Sequence, residues 1–530
     1  LVIDKIRAAI HRMTSPVYVE STAAGMGPPA LDELRQSVRK HIRASYDSVA
    51  RTPENTRHWM WTDVLSADAS LNPDVRKSIR SMARYEVNQN NSYGVGIAQT
   101  LANDTIGTGP KLQLQFAGNQ LNDEIERQWN YWFEAVDLRQ KLQTMRLAKM
   151  VDGEAIARAV TNVYTGEPVT LDYQLIECDQ LTTPNLNTIL RPDYVDGIHL
   201  DRFGNAYAYD ILKSHPGSDY WTNRQWEYNT YTTAQIIHIF RQDRPGQHHG
   251  VSEFAAALPL FAFLRRFTLA TVAAAETAAS VSQVIETDAP IPEELEADYA
   301  ASTFEKFMEA IPIDRNSATV LPNQWKLRQF SAEHPTTTYR MFKQELINEI
   351  ARVVNMPRNI AAADSSDYNY ASGRLDHMTY QKSVTIEQSY FGMKVLDKMF
   401  ADWLLEAAVV GELTSDTTSL VLDLNDRYGR MGMVRRVPHA WYWDGFKDAD
   451  QTKEADAQRT KLASGTTHRG AEYAAKGLDV NVEDMKAAQS FGITVDEYRE
   501  LVGTAIFKNG NAGNDKQSAT TPQPADTQSN

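Results

Sequence analysis

The chain has 530 residues, 42% of them hydrophobic and 23% charged, which is too long for one simple core and ordinary for a soluble protein of two or more modules. Its formal charge of −14 has the wrong sign for a protein that grips nucleic acid through the phosphates. The single cysteine, Cys178, excludes a disulfide framework and a cysteine-based metal site, and a buried, inert thiol is expected.

Residues 1–58 form a polar, partly helical lead-in. It lacks the uninterrupted apolar run and small-residue cleavage site of a secretory signal, so a cytoplasmic protein is expected. Within it, Leu31–Ala50 puts Leu34, Val38, Ile42 and Val49 near one face and Arg35, Arg39, Lys40 and Arg43 elsewhere. This end is mildly basic. A solvated helix face is the simpler account, and contact with nucleic acid or a neighbouring subunit is the alternative. Residues 74–105 read as two helices broken at Asn88–Tyr93. Gly94 and Gly96 do not make a dinucleotide loop, because Gln99 stands where the third glycine belongs and no strand precedes them.

Strand-type alternation follows at Leu112, Leu114 and Phe116, and Glu124–Arg158 reads as helical, with Trp129, Trp132, Phe133, Leu142 and Met145 at core spacings. From Ile156 to Phe240 the pattern is mostly β: Val160, Val163, Val169, Leu171, Tyr173 and Leu175 alternate with polar residues. Asp201–Asn205 supplies the turn of a hairpin into Ala206–Leu212. A short β run at Ile236–Phe240 then breaks into a loop with Arg241, Arg244, Pro245, Gly246 and Gly250. An Ala-rich helix of about 30 residues follows, with Ser252 as its candidate N-cap and Pro259 bending or delaying its start. On composition alone a buried core helix is the favoured reading. A membrane span is not expected, since Arg265, Arg266 and Glu276 leave no long uncharged stretch.

Val284–Thr337 carries short strands punctuated by prolines and an amphipathic helix near Glu293–Glu309. Thr338–Asn355 is a clear amphipathic helix ended by Pro357. Pro357–Ser372 is a loop by composition, and as a plain sequence it is an ordinary surface connection. Gly373–Ala408 reads as a long helix, and Asp444–Phe507 as a helical region with capping signals at Gly465–Thr466 and Asn481–Asp484. Trp441 and Trp443 are expected to close a core beneath it. Beyond Phe507 the tail has almost no apolar residues and is expected to be disordered.

No enzyme motif emerges. There is no Gly-rich phosphate loop ending in Lys-Ser/Thr and no His-Glu-x-x-His. His248-His249 are neighbours whose side chains point apart, with no acid or histidine cluster close in sequence, so no metal is assigned there. Glu177-Cys178-Asp179 has no nominated histidine partner. Asp193, Asp196 and Asp201 with Arg202 imitate a nuclease carboxylate cluster but are better explained as solvated strand-edge positions.

The string RPGQHHGVSEF (Arg244–Phe254), followed by an Ala-rich helix, resembles the portal proteins of lambda-like tailed bacteriophages, in which an RPGQ-x-(R/H)-G-x-S segment leads into the stem helix. Five more strings agree in order and spacing: NNSYGVGIAQTLANDTIGTG (Asn90–Gly109), DGEAIAR (Asp152–Arg158), QLIECDQL (Gln174–Leu181), DGIHLDRFGNAYAYDI (Asp196–Ile211) and DYNYASGRL (Asp367–Leu375). In the last, Ala371 and Gly373 replace residues that are often Ser and Ala in relatives.

The resemblance implies an α+β portal fold. Residues 59–250 would be the wing, 251–283 the stem helix, 284–337 the clip and 338–356 a second stem helix. A tunnel loop at 357–372, a tunnel helix and the rest of the wing at 373–445, a crown at 446–507 and a disordered tail at 508–530 complete it. It also implies a non-enzymatic, cofactor-free and metal-free ring of twelve copies at one capsid vertex, assembled in the host cytoplasm and incorporated into the virion. Double-stranded viral DNA would pass through it in packaging and ejection. Its partners would be the terminase large subunit, then head-completion or adaptor and tail proteins, with major capsid and scaffold proteins around it and no membrane.

Arg358, Asn359, Asp364, Ser365, Ser366, Asp367, Tyr368, Asn369, Tyr370 and Arg374 would line the tunnel loop. Arg358 and Arg374 either face phosphate or pair with Asp364, Asp367 or another acid. Arg244, Arg265, Arg266, Glu276 and Lys343 would serve the stem and its inter-subunit face. The competing classes are a cytosolic hydrolase or nuclease with a helical C-terminal extension, and a capsid-lining or scaffold protein.

Overall fold

The structure, a computed structural model, describes residues 63–116, 119–183, 193–218, 227–280, 284–287, 325–328, 336–446, 451–474 and 478–511, with isolated positions besides. The lead-in at 1–58, the tail beyond residue 511 and most of 284–337, including the helix expected near 293–309, lie outside them. The chain divides into two compact units, Leu1–Ser66 and Ala67–Asn530, and every element named below belongs to the second.

Helix α1 (Pro73–Ala83) starts where Asn72 accepts from the amides of Asp74 and Val75, with Pro73 in the first turn, where no amide is needed. A π-turn (Arg84–Asn90) leads to Asn91, whose side chain caps α2 (Ser92–Ile106). The break expected at 88–93 is therefore an Asn cap. Strand β1 (Lys111–Leu114) precedes α3 (Asn119–Ala135) and α4 (Leu138–Val151).

The helical expectation for Glu124–Arg158 fails at two points. Asp137 adopts a left-handed conformation (φ 49°), and Gly153 (φ 94°) turns the chain, so that Glu154–Arg158 opens strand β2 (Glu154–Thr161). The small and apolar residues on both sides of Gly153 fit either period, and only the glycine marks the change.

Strand β2 is the centre of a three-stranded antiparallel sheet, flanked by β3 (Leu171–Ile176) and, after four intervening strands, β8 (Ile236–Phe240). Those four form a second antiparallel sheet in chain order: β4 (Tyr194–Val195), β5 (Ile198–Leu200), β6 (Ala206–Leu212) and β7 (Tyr228–Thr232). The expected hairpin turn is present, with Asp201 accepting from the amides of Phe203 and Asn205 at 2.8 Å each.

The Ala-rich helix, α5 (Leu258–Ser280), has 23 residues, fewer than expected. Residues 255–257 form a 3-10 turn whose N-cap position is Phe254 and not the expected Ser252, which accepts from the Phe254 amide at 3.2 Å just before the turn, and Pro259 falls in the first α-turn. Strands β9 (Val284–Thr287) and β10 (Trp325–Arg328) pair antiparallel. Then come α6 (Thr336–Arg352), α7 (Arg358–Ala362) and α8 (Tyr370–Phe391), which continues through a π-turn (Gly392–Leu396) into α9 (Asp397–Val410).

Helices α10 (Ser415–Tyr428) and α11 (Arg430–Val434) lead to β11 (His439–Tyr442), which pairs with β1. Four helices close the described chain: α12 (Gln451–Ala463), α13 (Arg469–Ala474), α14 (Val480–Phe491) and α15 (Val495–Asn511). Asp479, rather than a residue of 481–484, caps α14, and α15 runs past the expected end at Phe507.

One core gathers α3, α4, the three-stranded sheet and α9 around Trp129, whose ring lies 4.9 Å from Trp132, 5.4 Å from Trp403 and 5.5 Å from Phe400. Trp441 and Trp443 pack against it. A second core clamps the base of α5, through Phe254, Phe261 and Leu264, among α2, α6 and α8. A third lies between the sheets, at Ile156, Leu181, Ile198, Tyr209, Ile211 and Ile236.

Candidate functional site

The polar stretch 357–372 is half helix. Pro357 precedes α7, Ala363 closes it in a left-handed conformation (φ 50°) with its amide on the carbonyls of Asn359 and Ile360, and Asn369 caps α8 by accepting from the Ser372 amide at 2.9 Å. What remains as loop is 363–369.

Its side chains are engaged within the chain. Asp367 accepts from Arg340 at 3.3 Å, Gln344 at 3.1 Å and Arg358 at 3.3 Å, and the Arg358 guanidinium lies 5.3 Å from the Tyr368 ring centre. The pairing alternative for Arg358 is the one observed. Asp364 accepts from the Ser366 amide at 3.0 Å, and hydrogen bonds from Ser366 hold its carboxyl below the usual carboxylate range. Ser366 Oγ accepts from Arg340 at 3.2 Å, and the Ser365 carbonyl accepts from the Tyr368 amide at 3.1 Å. Asn359 is buried, with its amide 3.1 Å from His377 Nε2, and so does not face solvent. Tyr370 and Arg374 sit in the first turns of α8, Arg374 exposed.

The stem residues divide similarly. Arg265 donates to the Tyr85 hydroxyl at 2.7 Å and covers that ring. Lys343 lies 5.0 Å from the Tyr93 ring centre, and Arg244 donates to Ser70 Oγ at 3.0 Å. Arg266 and Glu276 are exposed on α5, as are Phe263, Leu269 and Val272. At its middle α5 also packs on α6, where Phe267 stacks on Tyr339 at 5.4 Å and meets Phe342 edge-on at 4.6 Å.

The base of α5 is fixed by two buried ionic clusters on either side of the RPGQHHGVSEF string. Gln247 folds the loop on itself: its Oε1 accepts from the amides of Asp243 and Arg244, and its Nε2 donates to the His249 carbonyl at 2.8 Å. His248 and His249 do point apart. His248 meets Asp68 at 2.8 Å, a hydrogen bond that raises its pKa.

His249 enters the first cluster, with Nδ1 3.0 Å from Glu154 Oε2 and 2.9 Å from Arg76 Nη1. Glu154 is fully buried and also meets His238 at 3.0 Å, Arg76 at 3.3 Å and Arg80 at 3.1 Å. Burial alone would raise its pKa, but His249, His238 and Arg76 together hold it well below the carboxylate range. Arg76 pairs with Asp196, and Arg80 with Asp179 at 2.6 Å. The solvated-edge reading therefore fails for Asp196, whose side chain is 9% exposed. A turn with positive φ (39°) carries this carboxylate inward.

Gly250 follows because nothing larger fits: a Cβ there would overlap the Gly153 carbonyl and lie 2.7 Å from Phe240 Cβ. Three residues on, Glu253 enters the second cluster, bidentate to buried Arg146 at 3.1 Å. Lys149 joins Glu253 at 3.6 Å to Glu387 of α8 at 2.5 Å.

In the sequence these residues stand out only as parts of strings. Glu154 comes from DGEAIAR, Asp179 from QLIECDQL, Asp196 from DGIHLDRFGNAYAYDI and His249 from RPGQHHGVSEF, so four of the six strings meet at one buried point. A charged residue inside each string is the available signal.

Glu154, His238 and His249 bring three possible metal ligands within 4.8 Å of one another, as do Glu177, Asp179 and His215. No such cluster lies close to His249 in sequence, but the fold brings an acid and a histidine, Glu154 and His238, beside it. Guanidiniums already answer these carboxylates, however: Arg76 and Arg80 on Glu154, Arg84 on Asp179 at 2.9 Å. A buried dication beside them would add uncompensated charge. Cys178 is buried between the two groups, its thiol pushed well above the usual range by burial, which makes it a poor nucleophile.

The chain is similar to known proteins along much of its length. A protein of Halomonas phage phiHAP-1 described as "Probable portal protein" is 24% identical over 373 residues, 68% of this chain and 67% of its own length. Among solved structures, a chain from the neck of a native gene transfer agent particle is 15% identical, with a TM-score of 0.41, over 76% of this chain and 94% of that one. A chain from the virion of the native gene transfer agent is 14% identical, with a TM-score of 0.38, over 76% and 93%. The family described as "Phage portal protein, lambda family" matches residues 52–388, and the chain belongs to that non-enzymatic family.

Proposed function

We propose that this chain assembles with copies of itself into a ring, of twelve subunits by family resemblance, at one vertex of a phage capsid. Double-stranded DNA enters through the ring in packaging and leaves through it in ejection. In this reading 59–250 is the wing, α5 and α6 are the stem, the segment between them is the clip, 363–369 the tunnel loop, α8 the tunnel helix and α12–α15 the crown. The terminase large subunit docks first, head-completion, adaptor and tail proteins afterwards, with capsid and scaffold proteins around the ring.

The observation that carries the reading is α5. Its base is locked by two ionic clusters and a core, yet its outer part leaves Phe263, Leu269 and Val272 half or more exposed. An apolar helix anchored so firmly and left bare in one chain is suited to burial against another copy, and a head-to-tail contact that closes makes a ring. Loop 363–369 supports it too, since Arg340 and Arg358 beside it are both paired with Asp367 and the chain is acidic overall, which suits DNA that slides rather than sticks.

A membrane span is the second reading that α5 invites: an 18-residue stretch within Ala255–Glu276 has a mean hydropathy of 1.4 and is mostly not buried. Arg265 and Arg266 stand at its middle, where each would cost about 2.5–3.5 kcal/mol in a bilayer. The hydrolase or nuclease alternative has lost its ground with membership of a non-enzymatic family.

A phage carrying a stop codon in this chain tests the proposal. Heads should assemble without DNA, and DNA-filled heads in its absence would contradict it.

A further inference from the structure

Loop 363–369 is tied to its surroundings by one carboxylate. Arg340 Nη2 reaches Asp367 Oδ1 at 3.3 Å and Oδ2 at 3.4 Å, Gln344 Nε2 reaches Oδ2 at 3.1 Å, and Arg358 Nη1 and Nη2 both reach Oδ2 at 3.3 Å. Arg340 also donates to Ser366 Oγ at 3.2 Å, and the Tyr368 ring supports the Arg358 guanidinium. Donors from two separate helices thus converge on a single side-chain anion.

Stability alone is a weak account of this convergence. Asp367 is 46% exposed and Arg340 58%, while Arg358 is 16% exposed, and a pair as open to water as Asp367 with Arg340 contributes little. Two planar guanidiniums and a primary amide around one anion are, however, the donor set that recognises a phosphate diester. The carboxylate is held by contacts that another anion of similar geometry can replace.

We propose that Asp367 occupies a seat built for a DNA backbone phosphate, so that the donors of Arg340 and Arg358 are taken up by the chain's own loop until DNA displaces it. The proposal rests on the reading of the chain as a DNA conduit. It gives the loop two states. With Asp367 seated, the arginines offer no deep well to arrest moving DNA. With the loop displaced, they hold a phosphate.

The test is binding of a short fluorescent DNA duplex to the purified full-length protein, followed by anisotropy across a salt series. Asp367→Asn should tighten binding by about tenfold, the size expected of two freed surface charges. It should also steepen the salt dependence of log K by about 0.9 for each phosphate newly engaged. Adding Arg340→Ala and Arg358→Ala to that variant should abolish both effects. Asp376→Asn, which removes the same charge from an exposed position on α8, should tighten binding far less. An unchanged affinity for Asp367→Asn, or an equal tightening for Asp376→Asn, would overturn the seat. Failure of the conduit reading would show separately, as DNA-filled heads in phage lacking the chain.

Discussion

Glu154 is the residue on which the first buried ionic cluster converges, and its partner His238 makes the fold sensitive to acid. Burial lowers the pKa of His238, although its hydrogen bond to Glu154 pulls the other way. The unfolded chain therefore takes up a proton near about pH 6.5 that the folded chain refuses until lower pH. Stability is full above that value and falls as pH drops from it toward the lower folded value. Around the ring stand Glu154, His249 and Arg76, so an added charge meets one acid already answered by two guanidiniums. His238→Gln can still donate to Glu154 but does not titrate. Thermal melts between about pH 7.5 and pH 5.5 should show a flatter pH dependence for this variant than for the unaltered protein; an identical slope would remove His238 from the account.

At the scale of elements, α5 is where sequence and structure are most usefully compared. Its existence, its alanine content and its anchoring string are legible, because helical spacing and a Gly-rich loop are local signals. Its start is not. Residues 255–257 form a 3-10 turn and the α-helix begins only at Leu258, with Pro259 in its first turn, which no periodicity separates from a helix that begins at once. The first half of strand β2 is illegible for a similar reason, since the signal lies in one glycine at φ 94°.

The polar run at 357–372 reads as loop throughout. Yet Ile360 and Ala361 pack on the second core, and tertiary burial turns five residues of it into α7. The paired arginines of α5 look alike in the sequence, whereas Arg265 is bound to Tyr85 in its own chain and Arg266 is exposed. Arg265→Glu should therefore lower stability slightly, by about 1 kcal/mol or less. Arg266→Glu should leave melting unchanged and reduce the ring fraction seen by native mass spectrometry. Equal ring fractions for Arg266→Glu and the unaltered protein would take Arg266 out of the inter-subunit face.

For the whole molecule, the mixed α+β architecture and the membership of a portal family are legible because six short strings stand in order along the chain. What binds them is not. Four of those strings meet only through pairings such as Arg76 with Asp196 or His249 with Glu154, between residues far apart in sequence, and charge pairing across a fold leaves no periodic trace. The loop is similar. Asp367 stands out as a polar loop residue, while Arg340 and Gln344, which hold it, sit inside a helix whose spacing looks purely structural. On the proposed function, α5 is anchored at its base by the two ionic clusters so that its exposed apolar side chains, Phe263, Leu269 and Val272, can pack against copies of the chain around a channel.

Electron microscopy of the purified protein, with end views classified by rotational symmetry, tests that claim most directly. Rings of about twelve copies, the number the family resemblance implies for a closed head-to-tail contact, with an axial hole wide enough for a DNA duplex and a narrow stem in side view, are the predicted result. Compact monomers or dimers, both free in solution and in neck fractions recovered from virions, would contradict it.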